Sequence, residues 1–189
     1  EEANEEEAFP RIRLGSLAIS CSFPIKTREG KILLPAQVKA FDESGRIWFP
    51  FPHYFSPFYE SVAILGEWRK GRIVWEASKK ITINPNICCR LCEPTVAELM
   101  DGRILMIMRG DNGAFPEKPG YKWMSISEDG GRTWSKPKPL KYDDGGVLYS
   151  PSSCSYLFRS WKTGKIYWIA NIVNKNPVGN RPRYPLVIT

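Results

Sequence analysis

The stretch SISEDGGRTWSK, residues 125–136, gathers Ser127, Asp129, Gly130, Gly131, Thr133 and Trp134 into a few positions. Ser127 reads as the end of a strand. Asp129 can accept backbone N–H bonds across a turn, the two glycines permit positive φ, and Trp134 supplies a large apolar anchor. Each is a turn-building choice.

Working outward, a repeat emerges. GKILLP from residue 30, GRILMI from 102 and GKIYWI from 164 share a Gly, a base, an Ile and an apolar continuation. The Gly ends a turn, the residues after it have strong β-propensity, and the spacings of 72 and 62 residues leave room for about four strands each. With seven Trp, eight Tyr, nine Phe, 16 Pro and 15 Gly, the chain is expected to be all-β, built of short strands and turns. The unit has the size of a large propeller blade. Residues 1–10 are expected to form an acidic tail, and residues 11–189 a partial β-propeller with blades at roughly 11–80, 81–142 and an incomplete 143–189. Three blades cannot close a ring that commonly needs about four to eight. The missing blades are expected from the rest of a longer chain or from a second copy.

Composition narrows the partners. No apolar run approaches the roughly 20 residues that span a bilayer, so no membrane is expected, and EEANEEEAFP is acidic where a signal peptide is basic. Net charge is +7, yet residues 1–10 hold five Glu and no base, leaving 27 bases against 15 acids elsewhere, or +12. Such a body favours an anionic partner. The bases are scattered rather than blocked into a run, which speaks against nucleic acid. Five cysteines are an odd number; Cys88, Cys89 and Cys92 in CCRLC offer one C-x-x-C without a second, and His53 is far upstream. No metal site is expected from that set, and buried strand cysteines are the better account. His53, among aromatics and prolines in FPHYFSPF, reads as a loop or packing residue. No cofactor is expected.

The pattern at Ser127, Asp129, Gly131, Thr133 and Trp134 resembles the Asp-box, S-x-D-x-G-x-T-W, of sialidase-type β-propellers. In that family the box joins the third and fourth strands of a blade and is structural. With EPTVAELMDGRILMIMRG and YSPSS, it makes residues 85–189 resemble bacterial sialidase-like, BNR-repeat proteins of the neuraminidase superfamily; the first 80 residues resemble them weakly. The resemblance implies a six-bladed propeller, of which this chain supplies about three blades, and an extracellular or periplasmic setting.

Glu93 and Arg109 flank EPTVAELMDGRILMIMR, whose alternation and DG turn predict a hairpin with its outer ends side by side. A structural ion pair is one reading. By resemblance, Glu93 takes the role of the base that activates the nucleophile and Arg109 that of a clamp for the substrate carboxylate. A bidentate guanidinium suits that planar anion better than Lys does. Sialidases use a Tyr nucleophile, since a carboxylate would meet like charge beside the substrate carboxylate. Tyr149 in GVLYSPSS is the candidate; a core strand tyrosine is the alternative. Lys122 stands where a third arginine is expected, and Arg183 in GNRPRYPL is a substitute for it.

The chain departs from the family in two further places. FPRIRLGS offers Arg11 and Arg13 without the following Pro of the first arginine motif, and no segment matches the Asp acid/base. A missing general acid forfeits typically about 10² to 10⁴ in rate. The leading expectation is a glycoside hydrolase resembling exo-α-sialidases, acting on a terminal sialic acid or related acidic sugar of a glycan. A carbohydrate-binding propeller without turnover is the alternative, and a scaffold whose Asp-box turn is purely structural is the third.

Overall fold

A computed structural model describes residues 16–19 and 23–189. The acidic segment 1–10, with Arg11 and Arg13, lies outside the described residues. These form β1 (Leu17–Ala18), β2 (Ile25–Lys26), β3 (Ile32–Lys39), β4 (Tyr59–Arg69), β5 (Arg72–Ala77), β6 (Cys92–Glu98), β7 (Ile104–Arg109), β8 (Lys122–Ser127), β9 (Lys138–Pro139), β10 (Tyr156–Arg159), β11 (Ile166–Asn171) and β12 (Leu186–Ile188). Among the described residues there is no helix, hence none long and apolar enough to cross a membrane. The fold is all-β.

Three antiparallel sheets follow one another along the chain. In the first, β1 and β2 pair with one edge of β3, and β4 and β5 continue outward; the second runs β6-β7-β8-β9 and the third β10-β11-β12. Each Gly-base-Ile repeat opens the second strand after the turn, as β3, β7 and β11. Gly30, Gly102 and Gly164 sit there at φ +81°, +88° and +71°. A Cβ on any of them would meet nothing within 4 Å, so backbone conformation, not space, asks for glycine.

Side-chain alternation stacks the sheets. On β7, Ile104, Met106 and Met108 join Leu33, Ala63 and Leu91 in a core shared with the first sheet. Ile107, one residue out of phase, joins Leu157, Trp168 and Ala170 in a core shared with the third. Covered on both faces, the middle sheet needs strands without polar alternation, and ILMIM is such a strand. The third sheet differs. Leu157, Trp168 and Ala170 face inward, while Tyr156, Phe158 and Tyr167 stack along the opposite face beside the exposed Leu186 and Ile188.

The opening stretch joins β8 to β9. Ser127 Oγ donates to Asp129 Oδ1 at 2.7 Å and accepts from the Gly131 amide at 2.8 Å. Asp129 Oδ1 accepts the Arg132 and Thr133 amides at 3.0 and 2.9 Å, and Oδ2 the Thr133 hydroxyl at 2.6 Å. The little burial Asp129 has works to raise its pKa. The hydrogen bonds from Thr133, Ser127 and Arg132 outweigh it and hold the carboxyl at about 2. The loop then reaches the first sheet: Arg132 O accepts from the Lys79 amide at 2.8 Å, Trp134 packs on the shared core, and its Nε1 donates to Ser78 Oγ at 3.3 Å.

Gly131 has φ +94°, and a Cβ there would lie 2.5 Å from Cδ1 of the fully buried Leu33. Gly130, at φ +70°, would meet only the Arg132 guanidinium at 3.9 Å. Gly130→Ala is expected to cost about 1–2 kcal/mol for its left-handed backbone alone. Gly131→Ala adds overpacking and should reach roughly 2–5 kcal/mol. Urea unfolding of both variants checks this, and equal losses would refute the close approach to Leu33.

Candidate functional site

The strand ends at one rim of the middle sheet collect the charged groups that its apolar faces exclude. β6 opens with an irregularity between Cys92 and Thr95, where Glu93 adopts φ +42°, an uncommon conformation for a residue with a Cβ. Its surroundings fix it there. The Glu93 amide donates to Gln37 Oε1 at 2.8 Å, and its carboxylate receives Arg109 Nη1 on Oε1 at 2.6 Å and the Cys154 thiol on Oε2 at 2.9 Å. Arg109, the last residue of β7, lies opposite Cys92 in one ladder and Lys122 in the other. Its Nε donates to Ser152 Oγ at 2.8 Å. Among the described residues no acceptor meets its Nη2.

Burial works to raise the Glu93 pKa. The hydrogen bonds from Arg109 and Cys154 and the charges of Arg109 and Arg90 prevail and hold it below the usual carboxylate range. Arg109, with 11% of its side chain exposed against 16% for Glu93, is held protonated by the same contact. Glu93 is thus an ionised, hydrogen-bonded carboxylate, and Arg109 a cation with part of its fork unspent.

A second pair adjoins the first. Arg90 donates through Nη2 to Asp111 and through Nη1 to Ser56 Oγ, with its guanidinium carbon 5.7 Å from the centre of the Tyr54 ring. Asp111 also accepts the Tyr54 hydroxyl at 2.7 Å and the Gly113 amide at 2.7 Å. Although burial works to raise it, Arg90 and these donors keep Asp111 ionised. Arg90 Nε is buried without a partner among the described residues.

Lys122 opens β8 beside Arg109 and is wholly buried. Its Nζ donates to Pro151 O at 2.7 Å and lies 3.5 Å from Ser153 Oγ. Burial, then the neighbouring Arg109 charge, lowers its pKa to about 7.

Glu93, Arg109 and Lys122 are therefore brought together, with the ammonium turned to the backbone rather than to solvent. Tyr149 lies on the same rim, in bridges to Tyr121 and Val173. Its ring stacks on Tyr121 at 6.4 Å and 6°, and no hydrogen bond joins its hydroxyl to Glu93 among the described residues. Arg183 is exposed and donates to Asn180 O at 3.1 Å, and among the described residues no hydrogen bond or ion pair joins its side chain to this cluster. His53 packs on Phe51 and Phe115, and the thiols of Cys88, Cys89 and Cys92 are buried, Cys88 and Cys92 being pushed up to about 12 by burial.

Sequence reasoning missed Arg90, Asp111, Ser152 and Cys154. A signal existed for the first two. A base inside the apolar run CCRLC, and an acid just past the end of an apolar strand in RGD, are charges that the fold must bury and therefore pair.

No family model and no curated protein matches the chain. Among solved structures it is similar to the crystal structure of a protein of unknown function from Dyadobacter fermentans DSM 18053. The two share 13% identity with a TM-score of 0.52, over 82% of this chain and 34% of that one. The chain thus spans about a third of that protein's length. At such identity the likeness bears on fold alone.

Arg109→Met leaves Glu93 buried without its cation and should cost about 3–5 kcal/mol at neutral pH. Because the folded Glu93 pKa is depressed, the pair's contribution is present above the unfolded value of about 4.3 and lost as pH falls through the folded one. Denaturant titrations should therefore show the deficit fading as pH falls below about 4.3; a constant deficit would exclude an electrostatic origin. Lys122 runs the other way. Its burdened cation is present in the fold below about 7, so wild type should gain stability over Lys122→Met as pH rises from about 7 toward about 10.

Proposed function

We propose that the rim around Glu93 and Arg109 is an acidic-glycan site of the exo-α-sialidase type, carried on part of a six-bladed β-propeller. In this reading each sheet is a blade. The outer face of the third sheet, where Leu186 and Ile188 are exposed beside the half-buried Phe158 and Tyr167, is where a further blade packs, supplied by a longer chain or by a second copy.

The observation that carries the reading is the contact of Arg109 with Glu93 at 2.6 Å, at adjoining ends of β6 and β7, in a sheet whose third and fourth strands are joined by an S-x-D-x-G-x-T-W turn. The unspent Nη2 gives a sugar carboxylate a place to share the Arg109 fork, and Glu93, ionised and fixed, is the group able to accept a nucleophile's proton. Tyr149 is the family's nucleophile candidate. Turnover requires its hydroxyl to leave the Tyr121 stack for Glu93, and a proton donor for the leaving oxygen. Asp111, whose charge acts on Arg109, is kept ionised by Arg90 and Tyr54, so it is no proton donor near neutrality.

That point favours a second reading, a glycan-binding propeller that retains the arginine rim without hydrolysis. Release of 4-methylumbelliferone from its α-sialoside, by wild type, Tyr149→Phe and Arg109→Lys, separates the two. The hydrolase reading expects turnover that falls at least roughly 10²-fold in Tyr149→Phe. The binding reading expects none, with calorimetric binding of N-acetylneuraminate that weakens in Arg109→Lys. Neither turnover nor binding would overturn both.

A further inference from the structure

Lys122 is the one fully buried ammonium among the described residues, and its burial is not explained by stability. Taking an ammonium out of water costs more than a hydrogen bond from a charged donor returns. The cation of Arg109, facing it across the β7–β8 ladder, adds repulsion. Cys92 and Glu93 on β6, and Cys154 on the segment before β10, face it with the opposite influence. A methionine would fill the same volume without the desolvation.

What the ammonium does accomplish is geometric. It grips the carbonyl of Pro151 and approaches the hydroxyl of Ser153. The residues alternating with these are the ones that touch the rim: Ser152 receives Arg109 Nε, and Cys154 donates to Glu93 Oε2. One buried amino group thus holds the backbone whose side chains orient both members of the pair. We propose that Lys122 is a positioning residue, which pins segment 151–154 and thereby sets the Arg109–Glu93 geometry. Its consequence for ligand rests on the acidic-glycan reading above; the pinning itself does not.

The test reads the segment directly. Alkylation by iodoacetamide is followed at Cys154 and Cys92 by peptide mass mapping, in wild type, Lys122→Met and Lys122→Arg. Cys92 is buried in the β6 strand and reports global opening. If Lys122 pins the segment, Lys122→Met labels Cys154 roughly tenfold faster or more while Cys92 stays protected, and Lys122→Arg, keeping a cation for Pro151, restores most of the protection. A Cys154 rate in Lys122→Met within about twofold of wild type, equal acceleration at Cys92, or Lys122→Arg reacting as fast as Lys122→Met would each overturn the proposal. N-acetylneuraminate binding is measured on the same samples. Its loss in Lys122→Met supports transmission to the pair; its absence in wild type defeats the acidic-glycan reading and leaves the labelling to decide Lys122.

Discussion

Burial of the middle sheet on both faces is the constraint from which the rest follows. β7 gives alternate residues to two cores, one shared with the first sheet and one with the third. A strand so placed has no face on which to set a charge. Polar chemistry is therefore displaced to the strand ends, where Glu93, Arg109 and Lys122 lie within one ladder register of each other. Half-dried at that rim, the charges must be paired, and Glu93–Arg109 and Arg90–Asp111 are the resulting pairs.

The S-x-D-x-G-x-T-W turn serves the same constraint from the opposite side of the sheet. Asp129 folds the loop by gathering its amides, and the loop then drives Gly131 onto Leu33 and Trp134 onto the shared core. Its polar residues work locally while its Trp and Gly work between sheets. Asp129 spends most of its hydrogen-bonding capacity on the loop's own amides and hydroxyls, which suits the most polar motif of the chain to fastening.

The rim is a network rather than two isolated pairs. Arg109 Nε meets Ser152, whose hydroxyl also helps keep Asp111 ionised, and Asp111 is held in turn by Arg90 and Tyr54. Segments far apart in sequence, Tyr54 to Ser56, Arg90 to Glu93, Arg109 to Asp111 and Ser152 to Cys154, thus share one electrostatic environment. In a low-dielectric setting such groups titrate together, and the ionisation of Glu93 is a property of the cluster.

The sequence by itself determined the all-β character, the three Gly-base-Ile strand starts and the turn at 127–134, because these rest on propensity, positive-φ glycines and hydrogen bonds between near neighbours. It also placed Glu93 beside Arg109, since a DG hairpin brings its ends together whatever surrounds it. Only the tertiary structure decided the rest. Arg90, Asp111, Ser152 and Cys154 come to the rim from separate loops, and no local pattern encodes distances across them. Lys122 carries no mark of burial in YKWMSIS; it is buried because the third sheet's lead-in segment folds over it. Tyr149 turns to Tyr121 for the same reason: which neighbour a ring stacks on is settled by sheet-to-sheet packing, a contact between residues that the sequence keeps apart.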